Sequence, residues 1–302
     1  DAMIKKTLYF GNPVYLKLRQ QQMVVVFPDH HKAERNIPVE DIGLLVLDHS
    51  QLTLSHGLAN ALIENNAAML WCDDRHLPNG MVMPMSANHS YTEKLSFQLS
   101  TSEPLKKQLW KQTVQQKIRN QSSVLEELNI EAGNMRAWAE RVKSGDPDNL
   151  EARAAAYYWE HIFGDWMEGF RRERGGIPPN NMLNYGYAIL RAIVARALVS
   201  SGCLPALGIH HRNKYNAFCL ADDVMEPYRP YVDLVVLSLL DDYDRPPMAL
   251  DQHIKKQLLQ IPVLDVLLDQ QSSPLMVGVH RTTSSLMRCF EGETRKLQYP
   301  TL

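Results

Sequence analysis

Up to about residue 75, the chain alternates between short apolar runs and turn residues, which is the pattern of a β-rich segment. The runs are rich in β-branched and aromatic side chains, and the first two flank the turn signal Gly11-Asn12-Pro13. One stretch, 54–64, instead has leucines at helical spacing. The predicted strands are residues 7–10, 14–18, 23–27, 42–47 and 67–72. Their spacing of about ten residues is typical of a small antiparallel β domain.

Beyond about residue 90 the apolar positions recur at helical spacing. The pattern is clearest where Leu150, Ala154, Tyr158, Ile162 and Trp166 follow one another every four residues. Further helices are predicted in the segments 95–114, 124–128, 135–142, 183–198, 232–240, 254–268 and 283–290. Prolines and a glycine between residues 78 and 84 mark a loop. We therefore predict an α+β protein, with an antiparallel β domain at 3–80 and a larger all-α catalytic domain at 81–302.

The composition limits the classes of protein to which the chain can belong. The 302 residues are 45% hydrophobic, which allows a sizeable core. We find no uninterrupted apolar run of the roughly 20 residues that span a bilayer and no secretory signal pattern, so we expect a cytoplasmic protein without a membrane partner. The four cysteines lie far apart, which argues against a zinc site.

Charge alone gives a mixed indication. The formal net charge of −2 argues weakly against a nucleic-acid partner. Two local clusters soften that argument, and each is either a DNA contact or a solvated helix face. The first cluster comprises Lys106, Lys107, Lys111, Lys117 and Arg119, and the second comprises Arg171, Arg172 and Arg174.

Motifs of nucleotide-binding loops, serine hydrolases and zinc proteases are missing from the sequence. Two short segments instead offer candidate ligands. Glu151 opens the amphipathic helix, where it either binds a metal or forms a capping box with Asp148. His210 and His211 follow Gly208, and either ring is a possible ligand or an ordinary hydrogen-bonded group.

A third segment places Asp222, Asp223 and Glu226 directly before an apolar helix. Acids at a helix start complement its dipole, but three exceed what capping needs. Pro227 suits the first turn of that helix and should push Glu226 out of the α region. Carboxylates with an imidazole favour Mg²⁺ or Mn²⁺, and such a site suits phosphodiester chemistry.

The order of these motifs resembles that of the CRISPR-associated Cas-one integrases, most closely the branch that accompanies Cas-nine effectors. The most specific elements are Gly208-Ile209-His210-His211 and the Asp-x-x-Glu-Pro-Tyr-Arg-Pro run at 223–230. Further matching stretches are 42–48, 71–78, 181–190, 285–290 and 297–300, and the Leu-Glu-Ala element at 150–152 is a weaker match.

The resemblance implies a metal site made of Glu151, His211 and Glu226, with Asp223 as a supporting acid. Some family members have aspartate where this chain has Glu226, and the longer carboxylate can still reach. The resemblance also implies a prokaryotic enzyme that joins the 3′ hydroxyl ends of spacer DNA to a repeat. Its implied partners are DNA, a second copy of the chain, a Cas-two dimer within a heterohexamer, and Cas-nine.

Two other functions stay open at this point. One is a metal-dependent hydrolase of a small phosphorylated substrate, and the other is a catalytically silent DNA-binding scaffold whose acids only cap helices. For DNA contact we nominate Lys107, Lys111, Arg171, Arg172, Arg212 and Arg229.

Overall fold

The computed structural model describes residues 5–29, 32–85 and 88–302. The chain divides into two compact units, Asp1–His89 and Ser90–Leu302. The boundary thus falls nine residues after the predicted one, since 89 − 80 = 9. The cause is the segment Pro78–Val82, which forms a strand of the first unit rather than a loop.

In its described residues, the first unit contains two four-stranded sheets, one α-helix and a 3₁₀ turn at Val39–Asp41. The strands are β1 (Lys6–Phe10), β2 (Val14–Arg19), β3 (Gln22–Val26), β4 (Arg35–Pro38), β5 (Ile42–Leu47), β6 (Leu52–Leu54), β7 (Ala68–Cys72) and β8 (Pro78–Val82). The sheets have the orders β1-β5-β7-β8 and β4-β3-β2-β6. Helix α1 (His56–Glu64) is capped by Ser55, whose hydroxyl accepts a hydrogen bond from the Leu58 N–H.

The expectation of an antiparallel domain is wrong in detail, because both sheets are mixed. Strand β5 pairs in parallel with β1 and β7, and β2 pairs in parallel with β6. All six residues of β5 are buried, as expected of a parallel strand covered on both faces. The hydrophobic core of this unit includes Val14, Leu16, Met23, Ile42, Leu45, Leu58 and Leu62.

The second unit is mostly helical. Its helices are α2 (Tyr91–Ser100), α3 (Glu103–Glu127), α4 (Gly133–Arg141), α5 (Leu150–His161), α6 (Asn180–Ser200), α7 (Cys219–Met225), α8 (Arg229–Leu240), α9 (Gln252–Leu258) and α10 (Leu275–Phe290). It is not all-α, because β9 (Asp265–Leu268) and β10 (Gln271–Pro274) form a hairpin. The predicted helix at 254–268 therefore ends at Leu258 and gives way to a 3₁₀ turn and a strand.

Helix α6 lies in the core of this unit. It is long and apolar enough to cross a membrane by length and composition alone, yet 78% of its most apolar stretch is buried within the fold. A helix with so large an apolar surface is expected in such a core. Gly186 lets α8 pack closely, because a Cβ there would lie 2.5 Å from Val232 Cγ1.

Candidate active site

Two acids from different helices meet on one buried ammonium. Glu151 lies in the first turn of α5, and Glu226 follows α7 at the start of a 3₁₀ turn. Lys117 Nζ of α3 donates a hydrogen bond of 2.5 Å to Glu151 Oε1 and lies 2.6 Å from Glu226 Oε2. The side chains of Lys117 and Glu226 are only 9% and 5% exposed, whereas that of Glu151 is 28% exposed. Three helical segments thus converge on one charged cluster.

The local turn before α5 explains why the Glu151 carboxylate is available. Asp146 caps this helix, accepting hydrogen bonds from the Leu150 and Glu151 N–H groups at 3.0 and 2.9 Å. Of the two alternatives for Glu151, the capping box with Asp148 is therefore wrong. Asp148 instead pairs with Lys143 at 2.8 Å. With the cap supplied by Asp146, the Glu151 side chain reaches Lys117.

The backbone of Glu226 also differs from the sequence expectation. Its φ of −51° and ψ of −47° lie in the right-handed helical region, although a proline follows. The reason is that α7 runs directly into the 3₁₀ turn Glu226–Tyr228 and then into α8. This continuous path places the carboxylate inward, where it is buried.

Two cations keep Glu226 ionised despite its burial. Glu226 Oε1 lies 3.0 Å from Arg229 Nη2, while Oε2 faces Lys117. Burial alone would raise the pKa of Glu226, but the positive charges of Arg229 and Lys117 outweigh it and lower that pKa. Burial would likewise lower the pKa of Lys117, but Glu226 and Glu151 raise it. Lys117 and Glu226 therefore favour each other's charged form.

Asp223 fixes the second element of the site, His211. Its fully buried carboxylate accepts hydrogen bonds from the His210 and His211 N–H groups, and it lies 2.5 Å from His211 Nδ1. This hydrogen bond, opposed by partial burial, raises the pKa of His211. A carboxylate on Nδ1 orients the ring and directs Nε2 away from Asp223, as in many metal-binding histidines.

The two adjacent histidines have different environments. The His210 ring stacks on Trp110 with 4.1 Å between centroids and an interplanar angle of 2°. The His211 side chain is 47% exposed, and its charge and that of Glu226 perturb each other's pKa. His211 thus interacts electrostatically with Glu226, and His210 with Glu151. Within residues 5–29, 32–85 and 88–302, no three His, Cys, Asp or Glu side chains lie close enough together to hold a metal ion as they stand. At this site the ammonium of Lys117 lies between Glu151 and Glu226.

A buried network beneath Glu226 holds Arg229. The hydroxyls of Tyr158 and Tyr187 donate hydrogen bonds of 2.9 and 2.5 Å to the Asp233 carboxylate. The guanidinium of Arg229 lies 5.0 Å from the centroid of the Tyr187 ring. Burial raises the pKa of Asp233 to about 6 against the opposing effect of these hydrogen bonds. The sequence analysis missed this network, since tyrosines on an apolar helix face resemble ordinary core residues.

The nominated DNA-contact residues fall into two groups. Lys107 and Arg171 are exposed and Lys111 is half-buried, so all three are accessible to a ligand. Arg172 donates hydrogen bonds to Asn180 and Asn184, and Arg229 contacts Glu226. Arg212 is exposed but pairs with Glu103. Lys117, counted in the first basic cluster, is not on a solvated face at all, because it points into the acidic site.

Comparison with known proteins identifies the class to which this fold and site belong. Residues 8–260 match the family described as CRISPR associated protein Cas1, so the chain belongs to the Cas1 family. The resemblance inferred from the motifs is thereby confirmed.

Particular relatives agree with this assignment. The chain is 37% identical over 285 residues to the CRISPR-associated endonuclease Cas1 of Neisseria meningitidis, covering 94% of this chain and 91% of that protein. It is 26% identical over 270 residues to an endonuclease Cas1 of Pyrobaculum aerophilum, covering 85% of this chain and 90% of that protein.

Solved structures show the same fold at low sequence identity. A casposase bound to an integration product has a TM-score of 0.78 at 18% identity, covering 97% of this chain and 92% of that one. A CAS1 protein from Thermotoga maritima has a TM-score of 0.76 at 14% identity, covering 95% of this chain and 97% of that one. The predicted α+β class is confirmed by these neighbours.

Proposed function

We propose that this protein is a metal-dependent DNA integrase and endonuclease of CRISPR adaptation. The observation that carries the proposal is the meeting of Glu151 and Glu226 on one buried cation beside His211, in a chain of the Cas1 family. The Cas1 relatives are named as endonucleases, and the casposase neighbour is bound to an integration product. These names support DNA strand joining and cleavage as the chemistry of this site.

Glu151, His211 and Glu226 would hold Mg²⁺ or Mn²⁺. The donor set fits such an ion, because it combines two carboxylates with an imidazole. Glu226 Oε2 also fits, since it is buried and has the Lys117 ion pair but no hydrogen bond of good geometry. When bound, the ion would polarise the target phosphoryl group and stabilise charge on the entering and leaving oxygens.

The reaction exchanges one phosphodiester for another. The 3′ oxygen of the incoming strand forms a bond to the phosphorus at the 5′ edge of the repeat and loses its proton to solvent, while the bond from that phosphorus to the 3′ oxygen of the nucleotide before the repeat breaks. That leaving oxygen takes up a proton, so the step needs no external energy source. In hydrolysis, water replaces the 3′ hydroxyl. Asp223 orients His211 for this reaction, and Arg229 holds the Glu226 carboxylate in place.

The alternative functions are less well supported. The groove beside His211 has a volume of about 620 Å³ and is lined by Lys106 among other residues. Arg212, Lys214 and Tyr215 on its rim are exposed, so it is an open surface rather than an enclosed pocket for a small phosphorylated substrate. The silent scaffold required Glu151 to cap a helix, but Asp146 has that role.

The proposed partners are DNA, a second copy of the chain, a Cas2 dimer and Cas-nine, in the cytoplasm of a prokaryote. A solved Cas6-RT-Cas1–Cas2 complex matches 97% of this chain and 36% of its own chain, with a TM-score of 0.76 at 17% identity. A structure described as a TtCas1–DNA complex matches with a TM-score of 0.52 at 16% identity. These neighbours support the Cas2 and DNA partners. The homodimer, Cas-nine and the Cas-nine-associated branch rest on the sequence motifs.

Strand joining with and without a divalent ion tests the proposed function. The purified protein is incubated with labelled prespacer DNA and a repeat-containing duplex, either with Mn²⁺ or with EDTA. We expect joined product only with Mn²⁺, because both carboxylates would act through the ion. Product formed equally in EDTA would refute metal dependence. DNA binding with no nicking or joining under any condition would favour the scaffold.

Neutralising Lys107 and Lys111 together should weaken DNA binding without altering the metal site. Both lie on α3, ten and six residues before Lys117, on accessible parts of that helix. A chain of net charge −2 needs a local positive patch to hold phosphate. We expect the double glutamine variant to lower the slope of log affinity against log salt by roughly one unit per lost phosphate contact.

Fluorescence anisotropy at several salt concentrations measures this slope. The control is Lys256→Gln, at an exposed lysine of α9. The neighbouring Lys255 is buried and is left unchanged. An unchanged slope in the Lys107/Lys111 variant would remove these lysines from the DNA interface and leave the proposed chemistry standing.

A further inference from the structure

Lys117 occupies the position that links the two acids of the site. Its ammonium contacts one oxygen of Glu151 and one oxygen of Glu226 at 2.5 and 2.6 Å. Lys117 lies on α3, while the acids belong to α5 and to the turn after α7. The ammonium is therefore the shared counterion of carboxylates that are 75 positions apart in the chain, since 226 − 151 = 75.

A divalent cation held by Glu151 and Glu226 needs the same oxygens. The ammonium carries only donors, so it cannot join a ligand set alongside a metal ion. Two cations that share these oxygens would also repel each other strongly in a site where Lys117 and Glu226 are almost fully buried. Occupation by one cation therefore excludes the present position of the other.

We propose that Lys117 is an internal counterion that competes with the divalent ion, so that metal binding requires its ammonium to leave both carboxylates. This proposal rests on the proposed function, because the competition concerns the proposed metal site. It assigns Lys117 a positioning role at that site. The lysine neutralises the acids and holds α3 against α5 and the Glu226 turn. It also weakens the site for metal, so a higher concentration of the ion is needed to half-fill it.

The side chain and its surroundings allow this exchange. A lysine ammonium sits on a flexible four-carbon stem, unlike the planar fork of arginine. Arg229 remains on the other oxygen of Glu226, 3.0 Å from Oε1, so this acid keeps a positive neighbour when Lys117 moves. Glu151 is the most exposed member of the cluster at 28%, so water reaches the site from its side and can solvate the displaced ammonium.

Titration calorimetry of the full chain with Mn²⁺ alone tests the proposal. Lys117→Met replaces the lysine stem by an unbranched side chain one atom shorter and removes the ammonium charge. We expect this variant to bind Mn²⁺ at least about tenfold more tightly than the unsubstituted protein. Lys256→Met, at an exposed lysine of α9, is the matched control and should bind as the unsubstituted protein does. Equal or weaker binding by Lys117→Met would overturn the proposal.

A Glu226→Gln variant separates this inference from the proposed function. If the unsubstituted protein binds Mn²⁺ and Glu226→Gln does not, the metal site stands whatever Lys117 does. If neither the unsubstituted protein nor Lys117→Met binds Mn²⁺, both the metal site and the competition fail.

A second measurement does not depend on the Lys117→Met variant folding well. In protein labelled with ¹³C-lysine, the ¹³Cε resonance of Lys117 is assigned as the signal that is missing from the spectrum of the Lys117→Arg variant. We expect it to move when Mg²⁺ is added, because its carboxylate partners are lost, and to stay in place in Glu226→Gln. A resonance that does not move while Mg²⁺ binds would show that Lys117 keeps its partners, which contradicts the proposal.

Discussion

Replacing Glu226 by glutamine is expected to reduce DNA strand joining by roughly a thousandfold or more, because the site loses a charged ligand for the catalytic ion. Glutamine has nearly the same shape, so the change acts mainly through charge. DNA binding should not weaken, since the lost charge is one that repels phosphate. The measurements are joining of labelled DNA in Mn²⁺ and equilibrium binding of the same DNA by fluorescence anisotropy.

The matched control is Glu131→Gln, at an exposed glutamate whose backbone carbonyl, not its carboxylate, accepts the Tyr157 hydroxyl. Glu226→Gln also leaves Lys117 and Arg229 with one less counterion, so thermal unfolding should accompany the assay. A Glu226→Gln protein that is folded and joins DNA at the unsubstituted rate would rule out the mechanism proposed here. If both binding and joining fall together, the acid has a structural role as well.

Replacing Gly208 by alanine should have the second-largest effect. A Cβ at this position would lie 2.4 Å from the His211 backbone oxygen and 2.7 Å from Asp223 Oδ2. Neither atom is the far end of a flexible side chain, because Asp223 is held by three hydrogen bonds. The turn that carries His211 must therefore shift. We expect a loss of about 1–3 kcal/mol in the free energy of unfolding from the overpacking.

Joining activity should fall by about a hundredfold in the same variant, because a displacement of about 1 Å at a catalytic group has an effect of that size. Chemical denaturation gives the free energy of unfolding, and the joining assay gives the rate. Gly133→Ala is the control, since a Cβ at Gly133 meets nothing within 4 Å. A Gly208→Ala protein with unchanged stability and activity would mean that the close approach of His211 and Asp223 is not needed.

Some of the fold could be predicted from spacing because the signal is local. The helix at 232–240 was predicted from its apolar run and corresponds to α8 (Arg229–Leu240). Strand pairing is not local, so parallel partners could not be read from the order of strands. One usable signal was present in the continuous apolar run of β5 (Ile42–Leu47), which is typical of a strand buried on both faces. The helix predicted through 254–268 was wrong because Pro262 and the alternating burial of β9 break the helical period.

At the site, the residue types were visible in the sequence but their partners were not. The motifs nominated Glu151, His211 and Glu226, and the structure brings the two acids onto Lys117 with His211 in electrostatic reach of Glu226. Lys117 was grouped with a basic cluster because Lys106, Lys107, Lys111 and Arg119 lie near it in the sequence. Its position seven residues after the buried Trp110 places it on the inner face of α3, and this spacing was the signal that could have identified it.

Residues 300–302 are held by a buried side chain of α3, and this contact bears on how the protein can be modified in the laboratory. The buried side chain of Asn120 on α3 donates hydrogen bonds to the carbonyls of Pro227 and Pro300, and it accepts one from the Leu302 N–H. The side-chain amide of Asn120 therefore connects Pro227, the residue after Glu226, to Pro300 and Leu302. A protease that removes residues 300–302 would take away two of these three hydrogen bonds. An affinity handle placed on the N-terminal unit leaves them intact.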